Sequence, residues 1–353
     1  MRLQSLRNTL LEEEIDAILI SQPENRRYLS GFTGSAGWLI VSAERTVLAT
    51  DPRYYEQVAR EAPDFELGKV EGRHPEVLKD LLTSVGVRRL GFESQHLAVD
   101  QFDALSQASE GVEWVPLKET VEKLRAVKEE AEIAALRRSA TLTDAAFAHL
   151  LDVIRPGMTE REAAWEIEAY MRTHGASKVA FDLIVASASN GALPHARPSE
   201  QAIQPGMPVV IDIGCVLDGY CSDMTRTICL GKPSPKYLEV WGIVRQAQEA
   251  AESGIHGGLS GVDAYALARN VIEEAGYGEA FGHGLGHGVG LHVHEAPRAS
   301  RLSEDILQAG MTLTVEPGIY LPGEFGVRLE DLVIIRSDGV EIITDTPKEP
   351  VVA

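Results

Sequence analysis

The segment Gly206–Thr227, GMPVVIDIGCVLDGYCSDMTRT, places two carboxylates within apolar, β-forming sequence. Asp218-Gly219 is a strong signal for a two-residue hairpin turn, with strands predicted on both sides of it. A hairpin centred on this turn pairs Asp212 with Thr225 and brings Asp223 to the same face as Asp212. Two buried carboxylates at such short range repel each other, so we expect a cation between them.

The same sequence pattern returns later in the chain. QPGM precedes Asp212, and QAGM precedes Glu316 at the same spacing. Each predicted hairpin also follows a helix, a glycine break and a second helix, which is capped by Thr159 in the first copy and by Ser260 in the second. Two such copies predict a duplicated domain with internal pseudo-twofold symmetry. A ligand shared by the copies would lie where the two hairpins meet.

Composition sets broad limits on the class of protein. The chain has 353 residues, of which 44% are apolar and 24% are charged, as expected for a soluble globular protein with about two domains. No apolar run approaches the roughly 18 residues of a membrane span, and no signal peptide is recognised, so we expect a cytoplasmic protein without a membrane partner. A formal net charge of -20 opposes binding to a phosphate backbone, which disfavours nucleic acid as a partner.

Residues 1–122 are predicted to form an independent α/β domain, and residues 123–353 are predicted to form a second domain. The first domain alternates helical and strand patterns, including a buried strand at 17–20. The polar segment after that strand, from Asn25 to Phe32, is predicted to be a loop. We place the domain boundary in the charged, helical stretch that follows Leu117.

Four of the chain's ten histidines lie between Phe281 and Glu295, in the segment FGHGLGHGVGLHVHE. The glycines of this segment disfavour a stable helix and allow the backbone to approach a ligand closely. Histidines clustered on loop and strand, in a chain with acidic strands elsewhere, favour a metal site over hydrogen-bonded structural histidines. The cluster consists of His283, His287, His292 and His294.

The return strand of the second hairpin carries a further acid, Glu330. Glu316 and Glu330 share a face only if the loop near Gly323 has an odd length or if one strand contains a bulge, and the sequence leaves both alternatives open. The metal-ligand candidates are therefore Asp212, Asp223, His287, Glu316 and Glu330. Such hard donors favour Mn, Mg, Co or Zn, and four carboxylates carry too much negative charge for a single divalent ion. Two ions would support metal-assisted hydrolysis.

Several motifs closely resemble those of the Xaa-Pro peptidases with the pita-bread fold, aminopeptidase P and prolidase, and more distantly those of methionine aminopeptidase and creatinase. The resemblance rests on SDMTRT, HGLGHGVGLHVHE, TVEPGIY and GVRLED in the second domain, and on NRRYLSGFTGS and TDPRYYEQ in the first. It implies an α/β plus α+β fold, in which an N-terminal creatinase-like α/β domain precedes a C-terminal pita-bread domain with internal pseudo-twofold symmetry. Methionine aminopeptidases lack such an N-terminal domain, and creatinase lacks the metal ligands that this chain keeps.

The resemblance implies that two divalent metal ions, Mn, Zn or Co, are held by the five candidate ligands. Asp212 would chelate one ion, and Asp223 and Glu330 would bridge both. His287 and Glu316 would complete the shell of the other ion. Glu316 would also accept a proton from the attacking water.

Other residues would contact the substrate, which in this family is a proline-containing peptide. His195 and His294 would hydrogen-bond the scissile carbonyl and its oxyanion, because neutral imidazoles beside a metal shell can donate to developing negative charge. His283 and Arg328 would line the pocket for the proline side of the bond, which needs dedicated recognition because an Xaa-Pro bond has no N–H. His292 has only a structural role by default, and the family implies a homodimer.

The sequence favours aminopeptidase P, with an Xaa-Pro dipeptidase (prolidase) as the alternative. A dipeptidase must recognise the free carboxylate after the proline with a basic group. The position expected to supply that group corresponds here to Leu302 or to the acidic pair Glu304-Asp305. Arg298 and Arg301 could serve instead, although they fit surface charges as well. A non-catalytic peptide-binding module is disfavoured, because such proteins lose metal ligands that stand in this chain.

Overall fold

The computed structural model describes residues 1–352, and its contacts divide the chain into two compact units, Met1–Arg125 and Ala126–Ala353. The boundary that the sequence places at residues 122–123 falls within a helix that spans Thr120–Ala126. Among the described residues, no helix combines the length and the apolar character needed to cross a bilayer.

The first unit contains six α-helices, the last of which ends at the boundary, and six strands. Its helices are α1 (Arg2–Glu12), α2 (Pro23–Ser30), α3 (Tyr55–Glu61), α4 (His74–Val85), α5 (Val99–Ala108) and α6 (Thr120–Ala126). Its strands are β1 (Ala17–Ile20), β2 (Trp38–Ser42), β3 (Thr46–Thr50), β4 (Glu66–Lys69), β5 (Arg89–Glu93) and β6 (Glu113–Leu117). The strands form one mixed sheet in the order β4-β3-β2-β1-β5-β6, and buried apolar side chains of α4 and α5 pack on it.

One prediction for this unit is wrong, because the segment expected to be a polar loop contains helix α2. Pro23 occupies the first turn of this helix, and Gly31, with a φ of 78°, ends it in the left-handed conformation. The sequence does not predict this helix, because much of its buried face is polar and the apolar periodicity typical of a helix is missing. Asn25 donates a hydrogen bond to Glu93, and the guanidinium of Arg26 donates to two backbone carbonyls.

The described residues of the second unit, 126–352, form four α-helices and fourteen short strands. Its helices are α7 (Glu130–Val153), α8 (Glu160–Thr173), α9 (Pro235–Gly254) and α10 (Gly261–Glu274). Strands of the first copy are β7 (Lys178–Val179), β8 (Ile184–Ser187), β9 (Pro208–Ile213), β10 (Cys215–Leu217), β11 (Tyr220–Cys221) and β12 (Met224–Leu230). The remaining strands are β13 (Gly286–Gly288), β14 (Glu295–Ala299), β15 (Thr312–Val315), β16 (Gly318–Leu321), β17 (Phe325–Arg328), β18 (Asp331–Ile335), β19 (Val340–Ile342) and β20 (Val351–Val352).

Each copy of the repeat forms its own core. The helices α7 and α8 pack on β8, β9 and β12 around residues such as Phe147 and Ile211, and α9 and α10 pack on β15 to β18 around Trp241. As predicted, the side chains of Thr159 and Ser260 accept hydrogen bonds from first-turn N–H groups of α8 and α10. The two helix pairs thus support two similar hairpins.

The first hairpin has the register that the sequence predicts. Strands β9 and β12 pair antiparallel with Asp212 opposite Thr225. Strands β10 and β11 are joined by Asp218-Gly219, whose φ values of 52° and 85° are those of a tight hairpin turn. The strand breaks at Gly214, where a Cβ atom would lie 2.1 Å from the carbonyl oxygen of Ser222. Only glycine therefore fits at this break, one residue after β9.

The second hairpin has an odd-length loop. Residues 322–324 connect β16 to β17, and the register continues unbroken from the β15–β18 pair into the β16–β17 pair. That register places Glu316 directly opposite Glu330. Of the two alternatives that the sequence leaves open, the odd-length loop is therefore the one found.

The return strands of the two hairpins lie side by side. The N–H of Glu330 donates to the carbonyl of Thr225 at 3.0 Å, and the N–H of Arg328 donates to Oγ1 of Thr227 at 3.0 Å. These bonds join β12 to the segment of β17 and β18. Acidic residues from both copies are thereby brought to one place.

Candidate metal centre

A cavity of about 580 Å³ opens in the second unit where the two hairpins meet. All nine residues that the sequence assigns to the site line this cavity: His195, Asp212, Asp223, His283, His287, His294, Glu316, Arg328 and Glu330. His292 and Arg301 lie outside its lining, whereas Arg298 contributes to it.

Asp223, His287 and Glu330 form the tightest group of ligand atoms. One oxygen of each carboxylate and one imidazole nitrogen all lie within 4.8 Å of one another, and the three residues are buried. Nε2 of His287 lies 3.7 Å from Oδ2 of Asp223 and 3.5 Å from Oε1 of Glu316. Acids from both hairpins thus surround one imidazole of the glycine-rich segment.

Asp212 and Glu316 flank this group from equivalent positions of the two hairpins. Oδ2 of Asp212 accepts a hydrogen bond from Arg328, whereas its Oδ1 is buried and has no hydrogen-bond partner among residues 1–352. Oε1 of Glu316 accepts a hydrogen bond from Oγ1 of Thr314 at 3.1 Å. Because a buried carboxylate oxygen without a partner is costly, Oδ1 of Asp212 marks a position that a cation would fill.

Burial raises the pKa values of three carboxyls of this site, those of Asp223, Glu316 and Glu330. For Asp223 and Glu330 burial is the largest cause, and neighbouring carboxylates raise the pKa further. Burial also raises the pKa of Glu316 to about 7, although Arg328 opposes this rise. The single charge of Arg328 does not balance four carboxylates, so divalent cations would complete the charge balance.

The imidazole of His287 has the form expected of a metal ligand. Its Nδ1 lies 3.0 Å from the carbonyl oxygen of Gly288, so Nδ1 carries the proton and the lone pair of Nε2 faces the carboxylates. Burial lowers the pKa of His287 to about 3, which keeps the ring neutral. Together with hard oxygen donors and the unpartnered Asp212 oxygen, this imidazole makes the site fit divalent ions.

A chain of hydrogen bonds connects His283 to Asp212 along another wall of the cavity. Nδ1 of His283 donates to the carbonyl of Gly284 at 2.7 Å, and Nε2 accepts from the hydroxyl of Tyr320 at 3.0 Å. That hydroxyl accepts from Arg328 at 2.7 Å, and Arg328 also donates to Asp212. Burial lowers the pKa of His283 to about 4, so its ring is neutral and can accept. Sequence reasoning missed Tyr320, although the motif TVEPGIY contains it.

Thr225 is a second functional residue that sequence reasoning missed. Its Oγ1 donates to Oε2 of Glu330 at 2.6 Å and accepts from Nε of Arg328 at 3.1 Å. The hairpin register already pairs Thr225 with Asp212, but a neutral hydroxyl does not stand out among charged candidates. Thr225 orients the acid of one copy from the strand of the other.

Two histidines reach the cavity from exposed segments. His195 follows the short helical turn after β8, and His294 immediately precedes β14. The ring of His294 lies 4.4 Å from that of His287, centroid to centroid, at an interplanar angle of 70°. Nδ1 of His292 accepts the N–H of His294 at 3.2 Å, which gives His292 a structural contact beside the site.

This combination of a duplicated hairpin fold and a buried set of acidic and imidazole ligands defines a metallohydrolase of the pita-bread class. Residues 134–337 match metallopeptidase family M24, and residues 2–127 match the creatinase/prolidase N-terminal domain. The chain therefore belongs to metallopeptidase family M24, whose members are hydrolases with a dinuclear divalent metal centre.

Similarity to individual proteins extends over nearly the whole chain. An Xaa-Pro dipeptidase of Pyrococcus horikoshii is 38% identical over 96% of this chain and 95% of its own length. The structure of an Xaa-Pro dipeptidase from Bacillus anthracis matches with a TM-score of 0.97 and 43% identity, covering 100% of this chain and 99% of that one. An X-Pro aminopeptidase from Thermotoga maritima matches with a TM-score of 0.90 and 39% identity, covering 96% and 98%. These matches confirm the resemblance to Xaa-Pro peptidases and the predicted fold class.

Proposed function

We propose that this chain is an Xaa-Pro dipeptidase, which hydrolyses the bond between an N-terminal residue and a C-terminal proline. Its similarity to Xaa-Pro dipeptidases and to an X-Pro aminopeptidase supports an Xaa-Pro substrate. The sequence favours aminopeptidase P, and one observation moves our proposal to the dipeptidase: Arg298 lines the cavity.

In this proposal, two divalent ions, Mn, Zn or Co, are held by five residues of the cavity. Asp212 would hold one ion, Asp223 and Glu330 would be shared by both, and His287 and Glu316 would complete the shell of the other. When bound, such ions polarise a carbonyl and lower the pKa of water. Glu316 would accept the proton of the attacking water, since its carboxylate lies beside the imidazole of His287 at 3.5 Å.

The substrate in this proposal lies between the histidines of the cavity wall. His195 and His294 donate hydrogen bonds to the scissile carbonyl oxygen as negative charge develops on it. Burial lowers the pKa of His294, which leaves a neutral ring with one N–H to donate. His283 and Arg328, linked by Tyr320, form the wall for the proline ring, which offers no N–H to recognise.

Arg298 has the properties of an anchor for the free carboxylate of a dipeptide. Its side chain is exposed at the cavity and forms no ion pair with an acidic side chain in the part of the chain that the structure describes. Its N–H donates to Oδ2 of Asp305 at 2.7 Å, which fixes the backbone from which the guanidinium extends. Leu302 corresponds to the position where a dipeptidase is expected to carry a basic residue. Leu302 is 83% exposed and lies outside the cavity lining. A guanidinium binds a carboxylate with two parallel hydrogen bonds.

Hydrolysis of Ala-Pro and of Ala-Pro-Ala by the metal-loaded enzyme tests this proposal. We expect a higher kcat/KM for Ala-Pro, because only the dipeptide places its carboxylate next to the proline. Arg298→Ala should raise KM for Ala-Pro by about tenfold, corresponding to a charged hydrogen bond of about 1.5 kcal/mol, with little change in kcat.

Arg301→Ala is the matched control, because Arg301 is exposed but does not line the cavity, and its kinetics should equal those of the wild type. Rapid cleavage of Ala-Pro-Ala with little cleavage of Ala-Pro would instead establish aminopeptidase P. That second candidate is favoured by the similarity to the Thermotoga maritima X-Pro aminopeptidase. A homodimer and a cytoplasmic location stay predictions, to be checked by light scattering and by cell fractionation.

A further inference from the structure

Glu160 is a fully buried carboxylate to which the proposed reaction assigns no role. It is the first residue of α8, and both of its oxygens accept hydrogen bonds from one segment of the chain. Oε1 accepts from the N–H and Oγ of Ser187 at 2.6 and 2.9 Å. Oε2 accepts from Nδ2 of Asn190 at 2.7 Å, and from the N–H and Oγ of Ser199 at 3.0 and 2.7 Å.

These donors enclose the loop that carries His195. Ser187 is the last residue of β8 and Ser199 follows the loop, so the carboxylate ties its two ends together. Glu160 pairs with no Lys, Arg or His side chain within residues 1–352, so the donors of this loop compensate its burial. An ionised carboxylate has about four acceptor positions, and the five hydrogen bonds therefore saturate it.

The placement of His195 depends on its backbone, because the residue is exposed. On the cavity side, the carbonyl of the preceding residue, Pro194, accepts a hydrogen bond from Nη1 of Arg328 at 3.2 Å. On the other side, Glu160 holds both ends of the loop. The loop is therefore fixed between an acid of the α8 helix and a cation of the second hairpin.

The second copy of the repeat holds its corresponding loop by different means. The residue after the capping Ser260 is Gly261, where a Cβ atom would lie 2.2 Å from the carbonyl oxygen of Arg298. Asp305 and Ser303 bind the backbone of Arg298 instead, at 2.7 and 2.6 Å. A buried acid at the first turn of the helix is thus particular to the copy that carries His195.

We propose that Glu160 is a positioning residue for His195, which it holds at the scissile carbonyl by fixing both ends of the loop 187–199. This inference rests on the proposed function, in which His195 donates a hydrogen bond to the substrate. Glu160 does not touch the substrate and acts only through the loop. A displacement of about 1 Å in a catalytic group can slow a reaction on the order of a hundredfold.

The test is a double-mutant cycle on metal-loaded enzyme with Ala-Pro as substrate. Glu160→Gln replaces one acceptor oxygen by an NH2 group, which then faces the hydrogen-bond donors of Ser187 or Ser199. Two donors cannot bond to each other, so the loop must shift. We expect kcat to fall on the order of a hundredfold, with metal content and KM little changed. His195→Ala should show a similar loss, and the double variant should be no slower than His195→Ala alone.

Glu93→Gln is the matched control for general destabilisation. Glu93 is likewise buried in its own unit and accepts hydrogen bonds from Ser21, Gln22 and Asn25. Its substitution should lower the thermal midpoint as Glu160→Gln does, but it should leave kcat unchanged. An equal fall of kcat in Glu93→Gln would overturn the positioning role.

Multiplicative losses in the double variant, or a normal kcat in folded Glu160→Gln, would overturn the inference and leave the proposed function intact. A normal rate for His195→Ala would overturn the role of His195 in the proposed function, and this inference with it. If Glu160→Gln does not fold, Ser199→Ala removes only one donor to the same carboxylate. Ser199→Ala should lower kcat less than Glu160→Gln does, and it should cause no further loss when combined with His195→Ala. If the losses of Ser199→Ala and His195→Ala instead add as free energies, the inference is overturned.

Discussion

Glu330 is buried at the contact between the two hairpins, where its Oε2 accepts a hydrogen bond from Thr225 at 2.6 Å. Its N–H is bonded to the same residue, so both the backbone and the side chain of Glu330 are fixed by the other copy of the repeat. Asp223 and His287 place ligand atoms within 4.8 Å of it. A carboxylate held in this way would be pre-organised for the bridging role that we propose for it.

Replacing this carboxylate should therefore remove metal from the protein. For Glu330→Ala we expect a loss of metal affinity larger than the roughly 10- to 100-fold change typical of removing an outer-shell partner, and a loss of Ala-Pro hydrolysis. Metal content after dialysis, measured by mass spectrometry, checks this. Glu324→Ala is the control, since Glu324 is an exposed acid of the same hairpin that pairs with Lys236 at 2.7 Å. Full metal content in Glu330→Ala would refute the bridging role.

Charged side chains of the site are easier to predict from the sequence than neutral ones. The nine predicted residues are acids, histidines and an arginine, and all of them line one cavity. Tyr320, Thr225 and Glu160 escaped prediction for different reasons. The first two are neutral hydroxyl residues, and Glu160 looks like an ordinary acidic first-turn residue of a helix. Their roles depend on partners distant in sequence, which only the fold brings near.

Among the elements, the turn that carries His294 depends on a buried ion pair. Nζ of Lys128 lies 3.0 Å from Oε2 of Glu295, and their side chains are 1% and 7% exposed. The other carboxylate oxygen of Glu295 accepts the N–H of His292 at 2.9 Å. The ion pair therefore fixes the turn from His292 to Glu295.

Removing the lysine should destabilise this turn strongly. Lys128→Met leaves the charge of Glu295 buried without its cation, so the free energy of unfolding should fall by about 3–5 kcal/mol in urea titrations. The double variant Lys128→Met/Glu295→Gln should recover part of that loss, because neither charge is then left alone. Lys236→Met, at an exposed pair, should cost only about 0–1 kcal/mol. Equal effects in the buried and exposed lysine variants would show that burial of the pair is unimportant.

The elements that the sequence predicts well are those with local signals. Asp218-Gly219 defines the first hairpin and its register, and Thr159 and Ser260 mark helix starts. Helix α2 is missed because its buried side chains include Asn25 and Arg26, which break the apolar periodicity. The register of the second hairpin depends on the conformation of the loop 322–324, for which the sequence has no equally specific turn signal.

For the whole molecule, bound ions would link the two copies of the repeat. Asp212 and Asp223 belong to the first copy, whereas His287, Glu316 and Glu330 belong to the second. Ions held by both groups stabilise the folded chain over the unfolded one, in which these residues are far apart. Repulsion among the buried carboxylates also falls when cations are present.

Removal of metal should therefore lower the thermal stability of the second unit. At a free metal concentration about 100 times the Kd, the stabilisation from one site is about 2.7 kcal/mol, so dialysis against a chelator should lower Tm measurably. Calorimetry with increasing metal checks this result. The Tm of Glu330→Ala should depend very little on the metal concentration. If the Tm of the wild type is also independent of the metal concentration, the proposed link between metal binding and stability is contradicted.

The sequence predicts the two-part organisation of the chain and the duplication, because the motif QxGM and its following carboxylate recur in register. It does not predict that the two return strands are hydrogen-bonded to each other. That contact joins residues such as Thr225 and Glu330, whose association depends on how two complete helix-and-hairpin units dock. The hydrophobic periodicity of either unit does not indicate how the two units dock.

The side-by-side return strands also show where the two halves of the molecule differ. Thr225 faces Asp212 as Glu330 faces Glu316, so the two pairs occupy equivalent places in the two hairpins. The two halves are nevertheless unlike at this place, because the first hairpin has a hydroxyl where the second has an acid. The hydroxyl of Thr225 donates a hydrogen bond to Glu330, so the difference between the halves is itself a contact that joins them.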